Sequence, residues 1–284
     1  MKYRDDSQIV SSAEIDRLNK ESIFETPFFN KEENNSYGHF GSVIKEIKDG
    51  NDGTHLVKIR PPFFLLGGAL SNITRILSGT KTRKILDHKK WQNREISCIK
   101  SLYPDLKINA TPYVNSILIE KIDGKVAYDI LRDDKICNDE KKNIIIKIAK
   151  GLRDIHEKDL YHGEPNTQNC IISNEDELYW IDFEIEYFDN LASEEKKAND
   201  LEQLLFSILG AFEKEGEIGI GDHEMIDIIL DSYGDEEIKQ IFLDNPNLPS
   251  IAPSRMYQLS FSSAYRFYQS QLKLMEYVEE KNVF

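Results

Sequence analysis

The chain has 284 residues, of which 40% are hydrophobic, and a formal net charge of −14 at pH 7. That length can bury a substantial core, as one bilobed domain or two small ones, and the acidic balance argues against a general nucleic-acid or anionic-membrane surface. The three cysteines, Cys98, Cys137 and Cys170, show no zinc-binding spacing, and the start M-K-Y-R-D-D-S-Q has no apolar signal core, so the expectation is a protein of the reducing cytoplasm.

Residues 1–35 are polar and read as an N-terminal extension, either packed on the domain or a disordered tail; one helix signal occurs where Ser11 precedes Glu14, Ile15 and Leu18. From Ser36 the period becomes that of strands. Ser36-Tyr37-Gly38-His39-Phe40-Gly41-Ser42-Val43 leads into a strand at Ile44–Ile47, a K-D-G-N-D-G turn and a second strand, Thr54–Ile59, carrying Lys58. Gly38 and Gly41 give a backbone that can approach phosphate oxygens without an intervening Cβ. Residues 61–90 follow an apolar stretch, F-F-L-L-G-G-A-L, with Arg75, Lys81, Arg83, Lys84, Lys89 and Lys90, a concentrated block of positive charge in an acidic chain. It reads either as a solvated face over a helix or as a contact surface for an anionic acceptor or a membrane interface.

A helix is expected from Asp87, its N-cap, to about Leu102, with Trp91, Glu95, Cys98, Ile99 and Leu102 on one face. Glu95 then points inward, where a carboxylate needs a cation, and Lys58 is the named partner. Residues Tyr113–Lys121 suggest a hairpin whose second strand ends at Gly124. After a short helix near Val126–Leu131, a longer one from about Asp139 to Glu157 carries the stripe Ile144, Ile145, Ile148, Leu152, Ile155.

The stretch from Leu160 to Asp182 is a polar loop, a strand Cys170–Ser173, an acidic turn and a strand Leu178–Ile181 ending on a carboxylate. Glu164 can face an acceptor hydroxyl, and Asn169 and Asp182 are hard oxygen donors suited to Mg²⁺. Beyond lie helices over Ser193–Leu209, with Asp200 near the apolar stripe and suited to bind loop amides, over roughly Asp222–Leu243, and after Pro253 with Tyr257, Phe261, Tyr265, Tyr268 and Leu272.

His162, Asn169 and Asp182-Phe183 resemble the protein-kinase pattern H-x-D-x-x-x-x-N followed by D-F-G, with Glu164 in place of Asp and Glu184 in place of Gly. Gly38, Gly41 and Val43 are similar to the end of the kinase glycine-rich loop, with Ser36 for its first glycine. The resemblance implies an α+β, bilobed protein-kinase-like fold: an N-lobe over 36–121, a small antiparallel sheet with one main helix, and a mostly helical C-lobe over 122–284. It implies ATP and Mg²⁺ as cofactors. Lys58 would hold the α- and β-phosphates and Glu95 would orient it, while Gly38 and Gly41 would cover the phosphates. Backbone near Glu120–Ile122 would pair with adenine, Asn169 and Asp182 would bind metal, and Glu164 would orient or deprotonate the acceptor.

Asp182 to Asp200 leaves no room for a long activation segment. Asn166 stands where protein Ser/Thr kinases usually carry lysine. H-G-E-P-N-T-Q-N, I-D-F-E, the basic run and K-A-N-D-L-E-Q-L-L-F-S-I look most like the lipopolysaccharide-kinase group, and are also similar to the small atypical kinase of the tRNA threonylcarbamoylation complex. The implied activity is phosphoryl transfer to a hydroxyl of a small-molecule or glycolipid acceptor, with peripheral membrane contact through 61–90 and no nucleic-acid partner. The alternatives are a nucleotide-binding pseudokinase scaffold and an atypical Ser/Thr protein kinase of the tRNA-complex type.

Overall fold

The computed structural model describes residues 16–18, 42–48, 54–61, 64–77, 79–212, 221–244 and 263–282. They fall in two compact units, one comprising Met1–Leu70 with Ile85–Lys121 and the other Ser71–Lys84 with Ile122–Phe284.

In the first unit, strands rich in β-branched residues form β1 (Val43–Lys48) and β2 (Thr54–Ile59), paired antiparallel with Ile44 opposite Lys58. The sheet continues in the order β1-β2-β5-β4, with β4 (Ile108–Ala110) and β5 (Ser116–Glu120) also antiparallel. Ile47, Val57, Ile59 and Leu118 form its buried face together with Leu18 from the residues ahead of the sheet. The expected second strand ends at Glu120 rather than Gly124, and its partner lies before Tyr113, because Tyr113–Asn115 turn: the Ser116 amide donates to Tyr113 O at 3.2 Å.

Helix α1 (Phe64–Leu77) follows, and the division between the units falls within it. Leu65, Leu66, Leu70, Ile73 and Ile76 along it are exposed. Helix α2 (His88–Leu102) begins at Asp87, whose side chain accepts from the Lys90 amide at 2.6 Å, and buries Trp91, Glu95, Cys98 and Ile99, as its repeat dictates. Beside it Arg60, wholly buried, lies 4.0 Å from the Phe64 ring and 4.2 Å from that of Trp91, and Nη1 donates to Ile85 O at 2.7 Å. Flat aromatic faces accommodate a guanidinium that could not otherwise leave water.

The second unit is mainly helical. Its described helices are α3 (Ala127–Arg132), α4 (Asn138–Glu157), α5 (Ser193–Leu209), α6 (Asp222–Tyr233), α7 (Glu236–Asp244) and α8 (Ser263–Asn282). The stripe Ile144, Ile145, Ile148, Leu152 and Ile155 on α4 is buried, as are Leu201, Leu204, Leu205 and Ile208 on α5. The single helix expected over 222–243 is two. Gly234 adopts a left-handed φ of 68° and accepts the turn, with its amide returning to Leu230 O at 3.0 Å. Tyr257 and Phe261, expected in the last helix, lie outside the described residues.

Two small sheets accompany the helices. Strands β6 (Gly124–Val126), β7 (Cys170–Ser173) and β8 (Leu178–Trp180) form an antiparallel sheet in that order. A Cβ on Gly124 would lie 2.2 Å from Ile172 O, so only glycine permits that approach. Strand β3 (Thr82–Lys84) pairs antiparallel with β9 (Ile185–Tyr187), joining the middle of the basic run to the segment after Asp182. This short sheet was not expected from the sequence.

Candidate active site

Within the first unit, Lys58 on β2 and Glu95 on α2 meet. Lys58 Nζ donates to Glu95 Oε1 at 3.0 Å, with the two side chains only 7% and 1% exposed. Strand alternation puts Lys58 on the face opposite Val57 and Ile59, where it meets α2, and the helical repeat places Glu95 with Trp91 and Cys98. A buried lysine and a buried glutamate are each costly alone, and the pairing offsets both costs and fixes the ammonium in place. The Trp91 ring, 5.7 Å from Nζ, adds an apolar wall. Gly38 and Gly41 lie outside the described residues. The amides of Glu120 and Lys121 donate to Lys107 O and Thr54 O, so neither of these two amides is left for a base edge.

In the second unit, the loop from His162 to Asn169 is held from several sides. Asp200 on α5 is the anchor: the amides of His162 and Gly163 donate to it at 2.8 and 2.9 Å, Tyr187 Oη at 2.6 Å and His156 Nε2 at 3.1 Å. Burial alone would raise its pKa, but the hydrogen bonds from His156 and Tyr187 and the nearby histidines outweigh it and lower the carboxyl below its ordinary range. Gly163 has a left-handed φ of 82°, and a Cβ there would lie 2.8 Å from Ile185 Cγ2, so glycine is required between His162 and Glu164.

His162 is wholly buried, its ring 4.7 Å from Phe183 and 5.2 Å from Trp180. The Glu164 amide donates to its Nδ1 at 3.3 Å, which leaves Nε2 to donate to Ile181 O at 3.0 Å. This histidine ties the loop to the end of the hairpin. Asn166 caps the single 3₁₀ turn Thr167–Asn169, accepting from the Gln168 and Asn169 amides at 3.0 Å. The Ile181 amide donates to Asn169 O at 3.0 Å, extending the β7–β8 ladder, so Asn169 and Asp182 stand at adjoining strand ends.

Asn169 Nδ2 donates to Glu164 O at 3.0 Å, which turns its Oδ1 into the atom available to a cation. Asp182 carries a left-handed φ of 70°, a sparsely populated conformation for a residue with a Cβ, of the kind that gathers at working sites. A side-chain amide oxygen beside a carboxylate fits Mg²⁺, which binds few protein oxygens and fills its remaining positions with phosphate and water. No cluster of three or more His, Cys, Asp or Glu suited to a metal occurs among the described residues, which accords with so sparse a donor set.

The basic run meets the site's own carboxylates. Arg75 Nη2 lies 2.7 Å from Glu164 Oε1, Arg83 Nε 2.9 Å from Glu186 Oε1, and Lys84 pairs with Glu184. Sequence reasoning did not name these partners. The available signal was Glu184, an acid in a glycine's usual place, only 5% exposed and so in need of a cation.

Among known proteins, the model of the lipopolysaccharide kinase (Kdo/WaaP) family matches residues 87–229, half of the chain. Two curated proteins are similar: the EKC/KEOPS complex subunit BUD32 of Enterocytozoon bieneusi, 29% identical over 141 residues, and a probable bifunctional tRNA threonylcarbamoyladenosine biosynthesis protein of Methanosphaera stadtmanae, 27% identical over 135 residues. Each alignment takes in 45% of this chain, with 67% of the first relative and 23% of the second. A solved structure, the Rv3197–erythromycin complex from Mycobacterium tuberculosis, aligns with a TM-score of 0.41 at 14% identity, over 63% of this chain and 53% of that one. The matched span includes Glu95, Glu164, Asn169, Asp182 and Asp200, and the chain belongs to the lipopolysaccharide kinase (Kdo/WaaP) family, with the kinase-like fold and phosphotransferase class that this entails.

Proposed function

We propose that the chain is an ATP- and Mg²⁺-dependent kinase that transfers the γ-phosphoryl group to a hydroxyl of a sugar or glycolipid. The observation that carries this reading is the set of charged and oxygen-donor side chains: a buried Lys58–Glu95 pair in one unit, and Glu164, Asn169 and Asp182 on one braced loop and hairpin in the other.

Lys58, held by Glu95, would pair with the α- and β-phosphates. Asn169 Oδ1 and the Asp182 carboxylate would hold Mg²⁺, which when bound neutralises charge on the phosphate oxygens. Glu164 would accept the hydrogen bond of the acceptor hydroxyl. That oxygen forms the new bond to the γ-phosphorus, the bond from γ-phosphorus to the bridging oxygen breaks to release ADP, and the hydroxyl proton passes to Glu164 and then to water. Catalysis of this kind is chiefly positioning and charge stabilisation, so a glutamate can serve. The exposed Leu65, Leu66, Leu70, Ile73 and Ile76 support an amphipathic acceptor or a membrane contact through 61–90, since so many large apolar groups on one helix mark an interaction surface.

The test is ADP release with ATP, Mg²⁺ and candidate lipopolysaccharide-core sugars. The wild type should turn over, and D182A and K58M should each lose about a hundred-fold or more in kcat/KM. Nucleotide binding without turnover, indifferent to E164Q, would favour a scaffold. The likeness to the BUD32 subunit supports a second reading, an atypical Ser/Thr protein kinase working with a tRNA-modification partner, which co-purification with such a partner and no sugar phosphorylation would favour.

A further inference from the structure

Glu164 raises a physical question that the kinase reading leaves open. Its side chain is one methylene longer than the aspartate of the family pattern, a displacement of roughly 1–1.5 Å, and it is 29% exposed, free to sample several rotamers unless something holds it. Arg75 holds it. Its Nη2 lies 2.7 Å from Glu164 Oε1 while Nη1 donates to Thr82 Oγ1 at 2.8 Å, so the guanidinium plane is fixed at two points. The Thr80 amide and hydroxyl return to Arg75 O at 3.0 and 2.9 Å, and Thr82 sits on β3, clamped to Tyr187 of β9. Asn72 exchanges hydrogen bonds with Lys84 across the same segment, at 3.0 and 2.6 Å. The cation therefore stands on a braced element of the same unit as Glu164. With its side chain 5% exposed, it also needs a counter-charge where it is.

We propose that Arg75 is a positioning residue for phosphoryl transfer: its guanidinium grips Oε1 of Glu164 and so presents Oε2 to the acceptor hydroxyl, letting a glutamate work where the family pattern has aspartate. This rests on the kinase reading above. A guanidinium tied to Thr82 through Nη1 suits the task, because its Nη2 then offers Oε1 of Glu164 one fixed place to bind and so narrows the positions open to the other carboxylate oxygen. An aspartate at 164 would fall short of Nη2 and gain nothing from it.

The experiment uses the full chain and ATP hydrolysis, with water as acceptor and ADP release as readout, in R75A, R75Q, R75K, E164D and R75A/E164D. In the glutamate background R75A and R75Q should lower kcat by about ten-fold or more, with KM for ATP within about two-fold, and R75K should restore part of the loss. In the E164D background R75A should change kcat by less than about three-fold. Equal losses in both backgrounds, or a higher kcat in R75A, would overturn the proposal, the latter by making the pair an inhibitory latch. Thermal melts of R75A, E164A and the double variant supply a measure independent of turnover, and the double variant should lose no more than the worse single one. Additive losses in an active wild type overturn the positioning role alone. A wild type that releases no ADP with water or with the candidate core sugars overturns it together with the kinase reading, whatever the melts show.

Discussion

Asp200 receives His162 and Gly163 amides, Tyr187 and His156 on two oxygens, and no neutral side chain can accept from all of them. In D200N the amide nitrogen would face donors, leaving the loop unpinned and buried polar groups unsatisfied. The loss should be about 3 kcal/mol in chemical denaturation, against about 1 kcal/mol for Y187F, which removes one neutral partner. Because its pKa is lowered on folding, Asp200 contributes stability above the unfolded carboxylate value and loses it as pH falls through the folded one. D200N should therefore flatten the acid limb of the wild-type stability profile. Contacts of this kind were legible: the helical repeat turns Asp200 and Glu95 inward, and a buried acid implies donors. The Arg75–Glu164 pair was not, since 89 residues separate its members, Glu164 sits in a loop, and the segment carrying Arg75 reads only as a block of apolar and basic residues.

At the scale of elements, periodicity carried α2 to α5, including Asp87 as a cap and the α4 stripe, and the β7–β8 hairpin with its terminal carboxylate, but it did not bound α1, whose apolar and basic residues read as a surface segment. It could not reveal β3 and β9, three residues each, too short for alternation to register. It also ran α6 into α7, because apolar spacing continues across Gly234, although that glycine and Asp235, which accepts from the Ile238 amide at 3.2 Å, are the stop and start signals. Helix α5 carries a further buried acid, Glu202, raised to about 8 by burial, against a hydrogen bond from Asn199 and the distant charge of Lys81. The sign is opposite to that of Asp200. A carboxyl that ionises more readily unfolded than folded contributes fully below about pH 4.5, and that contribution fades as pH rises through about 8. Thermal melts between pH 5 and about 8 should show wild-type stability falling, and E202Q should remove most of that slope.

For the whole molecule, the family match, the Lys58–Glu95 pair and the braced loop agree on a phosphotransferase, and the division at Lys121 coincides with the end of the sheet that carries Lys58. The second unit is not a contiguous length of chain, since Ser71–Lys84 belongs to it. That arrangement bears on how the protein can be cut. A truncation starting at Ile122 would strip Glu164, Glu184 and Glu186 of Arg75, Lys84 and Arg83 and leave β9 as a bare edge, open to pairing between molecules. Light scattering should find the excised piece associating at concentrations where the intact protein stays monodisperse, and grafting 71–84 back through a flexible tether should reverse it. Evolution could exchange the piece that follows Ile122 between genes only by carrying along a short stretch encoded far upstream.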